Sequence, residues 1–147
     1  MKSTLISREE VTKWTRPLVV RTDFENQRAW EVIRSMILAP VRGPGYTFHA
    51  HVCFLEALTF SGLGLVGVAA AVPENYSYPF LFILDRDATT HPESPILVLE
   101  QHSGRNFRAI PSTIQAIENN LSIANMSFFE FADHADADGV FRGFASE

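Results

Sequence analysis

Two unbroken apolar runs constrain this chain more than any other feature: Leu18-Val19-Val20 and Phe80-Leu81-Phe82-Ile83-Leu84. A strand with one wet face alternates apolar and polar residues. A run without alternation needs cover on both faces, as in the parallel sheet of an α/β fold. After the first run, Trp30, Ile33 and Ile37 recur at helical spacing, with Thr22 or Asp23 placed to cap that helix and Pro40 and Gly43-Pro44-Gly45 to end it. A second strand is expected over Phe48–Leu55, with Phe48, Ala50, Val52 and Phe54 on one face and His49, His51 and Cys53 on the other.

A small-residue helix is expected over Leu63–Val72, stopped by Pro73, and the second apolar run ends at Asp85. Ile96–Leu99 and Phe107–Ile110 read as a hairpin. Ser112 with Gln115, and Ser127 with Glu130, have the spacing of caps on two C-terminal helices. Ser7 with Glu10 predicts a short helix ahead of Pro17. The order β-α-β-α-β-β-β-α-α predicts an α/β fold: a single domain over residues 1–147, residues 1–16 being a helical extension. Its sheet is mixed, with a parallel N-terminal part and an antiparallel hairpin, and the helices pack on it. A chain of 147 residues buries roughly 68–70% of its unfolded surface, enough for one core without disulfide or metal support.

Charge narrows the partners. The net charge is −5 and the basic residues are scattered singly, so the stripe that a phosphate backbone or an anionic membrane surface requires is missing. Neither nucleic acid nor membrane is expected as a partner; oligomerisation is left open. Cys53 is the only cysteine, which excludes an intrachain disulfide. Glu9 and Glu10 stand where a secretory signal needs its apolar stretch, and Leu63–Val72 is too short to span a bilayer, so a cytoplasmic location is expected.

RTDF at 21–24 with the Trp30 helix, FLFILD at 80–85, IPSTIQAIENNLSIANM at 110–126 and DGVFRGF at 138–144 resemble an uncharacterised family, a small domain of unknown function in microbial proteins. The resemblance covers residues 17–144 and rests most on the IENNLSIANM string. It implies a fold unit of this length and brings no agreed activity or catalytic residues. The second strand of that family carries other polar residues where this chain has His49 and His51, which makes the two histidines candidates for a private function.

Several constellations bear on chemistry. Gly62-x-Gly64-x-x-Gly67 reads as a dinucleotide fingerprint, but Ala57–Ser61 separate it from the strand and Pro73 cuts its helix after about two turns; a tightly packed glycine-rich helix is the plainer reading. Asp133, Asp136 and Asp138 fail as a calcium loop, since His134 and Ala145 occupy two of its ligand positions. His49 and His51, two apart on a strand, share a face; they are structural, or they move protons in a pocket, or they hold a metal with a third ligand. Asp23 and Asp85 end strands, where open α/β sheets place ligands, or else they cap and turn. Glu118, Asn119 and Asn120 sit mid-helix and point to hydrogen bonding with a loop or a ligand. No G-x-S-x-G, P-loop or H-E-x-x-H motif occurs.

Twelve phenylalanines suggest dense aromatic packing or a ring-lined pocket. The leading expectation is a small-molecule pocket protein: a cofactor-independent lyase, isomerase or cyclase acting on a largely apolar metabolite. His49, His51 and Asp23 are its catalytic candidates, and Arg21, Phe48, Phe54, Asp85 and Asn120 its substrate-binding candidates. No cofactor and no metal is expected. An acidic protein-binding module, of the inhibitor or immunity type, and a nucleotide binder using the 62–67 glycines are the alternatives.

Overall fold

The computed structural model describes residues 16–144, so the helix expected over residues 7–14 lies outside the described residues. The two unbroken runs become β1 (Leu18–Arg21) and β5 (Phe80–Leu84), every residue of each buried. They pair in parallel, Val19 opposite Phe82, and β1 also pairs in parallel with β4 (Cys53–Leu55). β6 (Ile96–Glu100) and β7 (Asn106–Ala109) follow β5 as antiparallel strands, and β8 (Val140–Phe141) closes the sheet parallel to β7. The six-stranded order is β4-β1-β5-β6-β7-β8, a mixed sheet in an α/β domain.

Helices cover both faces, which is what unbroken apolar strands require. On one face lie α1 (Gln27–Leu38), α3 (Arg86–Thr90), α4 (Ile114–Ser122) and α5 (Phe128–Ala132). Trp30, Ile33 and Ile37 of α1 pack there with Val19, Phe82 and Val98. On the other face α2 (Leu65–Ala71) and a 3-10 turn (Leu58–Phe60) bury Val68, Ala71 and Phe60 against Leu18, Val20, Leu81 and Ile83. The chain steps one way from β1 to β4 through α1 and the other way to β5 through α2. Opposite steps need opposite faces if both crossovers keep the same hand. The Tyr76 hydroxyl ties the amino ends of β1 and β5, accepting from the Leu18 N–H (2.9 Å) and donating to the Phe80 carbonyl (3.0 Å). Burial raises its phenol pKa well above the ordinary value.

Three local expectations are corrected. Asn26, rather than Thr22 or Asp23, caps α1, its side chain accepting from the Ala29 N–H at 3.0 Å. Three further residues separate β1 from its helix, and Asp23 instead accepts from the Glu25 N–H (3.2 Å). Phe48–Leu55 is not one strand. β2 (Val41–Gly43) and β3 (Tyr46–Phe48) form a separate hairpin across Pro44-Gly45, with Gly45 at φ +83°, and only Cys53–Leu55 joins the sheet. Residues 49–52 belong to no strand, although Ala50 and Val52 keep the expected inward positions and His49 and His51 the outward ones. Phe48, expected on one face with Ala50 and Val52, is exposed while they are buried. Ser112 and Gln115 do not cap a helix: Pro111–Thr113 form a 3-10 turn and α4 starts at Ile114. The box of Ser127 and Glu130 is present on α5 as the spacing predicts.

Seven of the phenylalanines (Phe60, Phe80, Phe82, Phe107, Phe128, Phe131 and Phe141) are buried core, several in edge-to-face pairs such as Phe80–Phe82 at 5.6 Å. The aromatic richness is therefore mainly core packing. Among the described residues no helix is long and apolar enough to cross a membrane.

Candidate functional site

The polar side of α4 is the starting point. Ile114 and Ile117 bury themselves in the core, but Gln115 and Glu118 are buried as well, on a helix where the apolar spacing should have excluded a carboxylate. Glu118 is satisfied by three donors: the His51 N–H (2.5 Å), the Asn119 amide (2.9 Å) and the Ser122 hydroxyl (2.7 Å). The Asn119 amide also donates to the His49 carbonyl (2.9 Å), while its oxygen accepts from Gln115 (2.7 Å). This network fastens the strandless segment 49–52 to α4 and explains why it departs from the sheet: its backbone bonds to side chains instead of to a neighbouring strand.

Fastening that segment to α4 while the β2–β3 hairpin stands away from the sheet leaves a cleft of about 800 Å³. Val41, Phe48, Tyr78 and Ile123 supply apolar wall, and His51, Glu118 and Asn119 supply polar atoms. Arg16 and Arg42 line it too, and among the described residues neither is paired with a carboxylate. Three sequence candidates meet here: His51, Phe48 and Asn120. The Asn120 side chain is engaged within its own helix end, donating to the Ala116 carbonyl (2.8 Å) and accepting from Asn125 (2.8 Å).

The other candidates lie elsewhere. His49 is exposed and does not line the cleft; its carbonyl is the acceptor for Asn119. The shared strand face expected for the two histidines is thus replaced by a non-strand segment with only His51 at the cleft. Arg21 is buried; it donates to the Asp23 carbonyl (2.8 Å), to Gln27 (2.9 Å) and to Glu56 (3.0 Å), and lies over the rings of Phe24 and Trp30. It bolts the end of β1 to α1 and to the end of β4. Phe54 packs edge-on against Trp30 at 5.7 Å, with the Arg34 guanidinium over its ring.

Asp23 and Asp85 line a second, smaller crevice of about 380 Å³ at the carboxyl ends of β1, β4 and β5. Here the loop after β1 leads to one face and the loop after β4 to the other, the kind of switch point where α/β sheets place ligands. Asp23 also accepts from the Thr89 hydroxyl. Asp85 caps α3 through the Ala88 N–H (3.2 Å) and holds Arg108 through both oxygens, at 2.9 and 2.7 Å. That pair of hydrogen bonds raises the Arg108 pKa. Gly62 and Gly64 share the crevice, but the 3-10 turn intervenes and α2 has only seven residues. Of the three glycines of the motif Gly67 is closely packed, a Cβ there coming within 3.2 Å of the Leu63 side chain, whereas on Gly62 and Gly64 it would meet open space. Among the described residues no group of three or more His, Cys, Asp and Glu is spaced to hold a metal ion.

A family described as Domain of unknown function (DUF6924) matches residues 16–144, nearly the whole chain. The chain belongs to this family. No curated protein matches its sequence. The matched span runs from Arg16, which lines the cleft, to the residues just after β8, so both the cleft and the crevice fall within it.

Sequence reasoning left Arg16, Arg42 and Tyr78 out of the site. Isolated arginines carry no pattern that would have found them. Glu118 did carry one, since its place one helical turn after Ile114 and before Leu121 puts a carboxylate on the core-facing stripe.

Proposed function

We propose that this protein binds a small, largely apolar molecule in the cleft between the β2–β3 hairpin and α4, and acts on it as a cofactor-independent isomerase, lyase or cyclase. The observation that carries this reading is the convergence of Phe48 and His51, two residues singled out for different reasons, on one cleft with apolar walls. His51 is the group that moves a proton, its imidazole being suited to transfer near neutrality. Glu118 holds the His51 main chain, so the ring departs from a fixed point, which positioned catalysis needs. A cytoplasmic location accompanies the reading, in keeping with the single cysteine.

One observation favours the alternative of a protein-binding module. The β2–β3 hairpin and the end of α4 carry exposed apolar side chains, with Tyr46 64% and Ile123 75% accessible. The nucleotide alternative is weaker, because Asp23, Glu25, Asp85 and Asp87 crowd the glycine crevice and disfavour phosphate. Titration of the 15N-labelled protein with 4-phenylbutan-1-ol tests the reading. Amide shifts centred on His51, Asn119 and Ile123 support it, and shifts confined to Gly62–Gly64 and Asp85–Asp87 overturn it. Against an identified substrate, His51→Gln should abolish turnover and His49→Gln should leave it; equal activity of the two would remove His51 from the chemistry.

A further inference from the structure

We propose that the ligand of the hairpin cleft is an anionic amphiphile, an apolar body ending in a carboxylate that Arg16 and Arg42 receive. The inference rests on the reading of the cleft as the ligand site and adds the ligand's charge. It starts from the state of the arginines. Arg21, Arg86, Arg105, Arg108 and Arg142 are each within 4.0 Å of at least one carboxylate. Arg34 lies over the Phe54 ring. Arg16, Arg28 and Arg42 have no carboxylate partner among the described residues, although acids outnumber bases 17 to 12 in the chain, and of these three Arg16 and Arg42 line one cavity.

The cavity's own carboxylate is no counterion for them. Glu118 is buried and already accepts from three donors, and no ion pair links it to either arginine. Among the described residues the free charge at the cleft is therefore positive in an otherwise acidic protein, which repels an amine and draws in an anion. Guanidinium groups present paired N–H donors that match the two oxygens of a carboxylate. Val41, Phe48 and Ile123 offer nothing to a second charge, so the part of the ligand that lies against them is apolar.

Two matched pairs of probes, decanoate with decan-1-ol and 4-phenylbutyrate with 4-phenylbutan-1-ol, separate the charge from the body. Calorimetry at about pH 8, where both acids are ionised, should show each acid binding about tenfold more tightly than its alcohol. Arg16→Gln and Arg42→Gln should each remove most of that preference while alcohol binding stays unchanged. Phe48→Ala should weaken acid and alcohol alike. Raising the salt concentration should weaken only the acids. If acid and alcohol bind equally, or the preference survives in the Arg16→Gln/Arg42→Gln double variant, the anion inference falls and the apolar cleft stands. If none of the four probes binds, both readings fall.

Discussion

The crevice at the carboxyl ends of β1, β4 and β5 and the cleft under the β2–β3 hairpin are built from similar residue types but differ in how far their charges are matched. In the crevice every carboxylate has a partner: Asp23 the Thr89 hydroxyl and Glu25 N–H, Glu25 the Arg86 side chain (3.8 Å), Asp85 and Asp87 the Arg108 guanidinium. In the cleft the carboxylate is matched and, among the described residues, the two arginines are not. The general rule for α/β sheets points to the crevice. The matched charges there do what a scaffold needs, holding three loops in place. Unmatched groups beside apolar wall are what a ligand site requires.

The largest expected effect tests the scaffold side. Asp85→Ala removes the cap of α3 and leaves the Arg108 guanidinium, only partly exposed, without its two-point partner. A loss of about 2–3 kcal/mol is expected from the cap and the two charge-assisted hydrogen bonds together, Arg108 keeping Asp87 (3.3 Å) and the Pro95 carbonyl (2.9 Å). The urea midpoint should fall, while 4-phenylbutyrate affinity at a temperature where the variant is folded stays unchanged. An unaltered midpoint with lost affinity would exchange the roles of the two sites.

Asp23→Ala should cost less, about 1–2 kcal/mol, because it leaves the Glu25 N–H and the Thr89 hydroxyl to find water or, for the hydroxyl, the Arg86 carbonyl 3.1 Å away. Thermal unfolding measures it. Asp23 was a catalytic candidate from sequence, so a variant with native stability and no turnover on an identified substrate would restore that role and break the contrast.

What the sequence could and could not convey follows the same division. β5 was legible to the residue, because a strand buried on both faces leaves an uninterrupted run. The β6–β7 hairpin and the capping box at Ser127 were legible because turn and cap chemistry is local. The β2–β3 hairpin was not. Its strands are three residues each with no buried face, so no periodicity marks them, and Pro40 with Gly43-Pro44-Gly45 reads equally as a helix stop. The cleft inherits that illegibility, since one of its walls is this hairpin. The offset from Thr22 or Asp23 to Asn26 in the cap of α1 is of the same kind: all three are capping residue types, so their side chains alone do not select among them.

A third variant probes the cleft side with little cost to the fold. A Cβ on Gly43 would come within 3.1 Å of the exposed Phe48 ring, a flexible neighbour that can turn aside. Gly43→Ala should therefore change stability by less than about 1 kcal/mol, within the range of surface substitutions. It should alter the affinity for 4-phenylbutan-1-ol several-fold, since Phe48 is displaced from the wall it forms. Unchanged affinity in calorimetry would mean that the hairpin side of the cleft makes no contact with the probe.

The smallest effect concerns acid, and it separates the matched charges from the cleft by pH. Arg142 holds Glu93 at 2.8 Å and Asp138 at 2.7 Å, with Asp136 also at 2.7 Å, joining the segment after β8 to the loop before β6. The hydrogen bonds from Arg142 are the main reason that Glu93 and Asp138 have pKa values below the ordinary carboxylate range. A carboxylate whose folded-state pKa is depressed binds its proton more readily when unfolded, so its contribution is present above the unfolded value, near pH 4, and fades as pH falls through the folded one. The melting temperature of Arg142→Gln should accordingly lie below that of the native chain at neutral pH, and the two curves should converge as pH drops below about 4. These groups are exposed, so added salt should narrow the neutral-pH gap. A gap that stays constant down to about pH 3 would mean that Arg142 acts through packing against its neighbours and that its ion pairs contribute nothing.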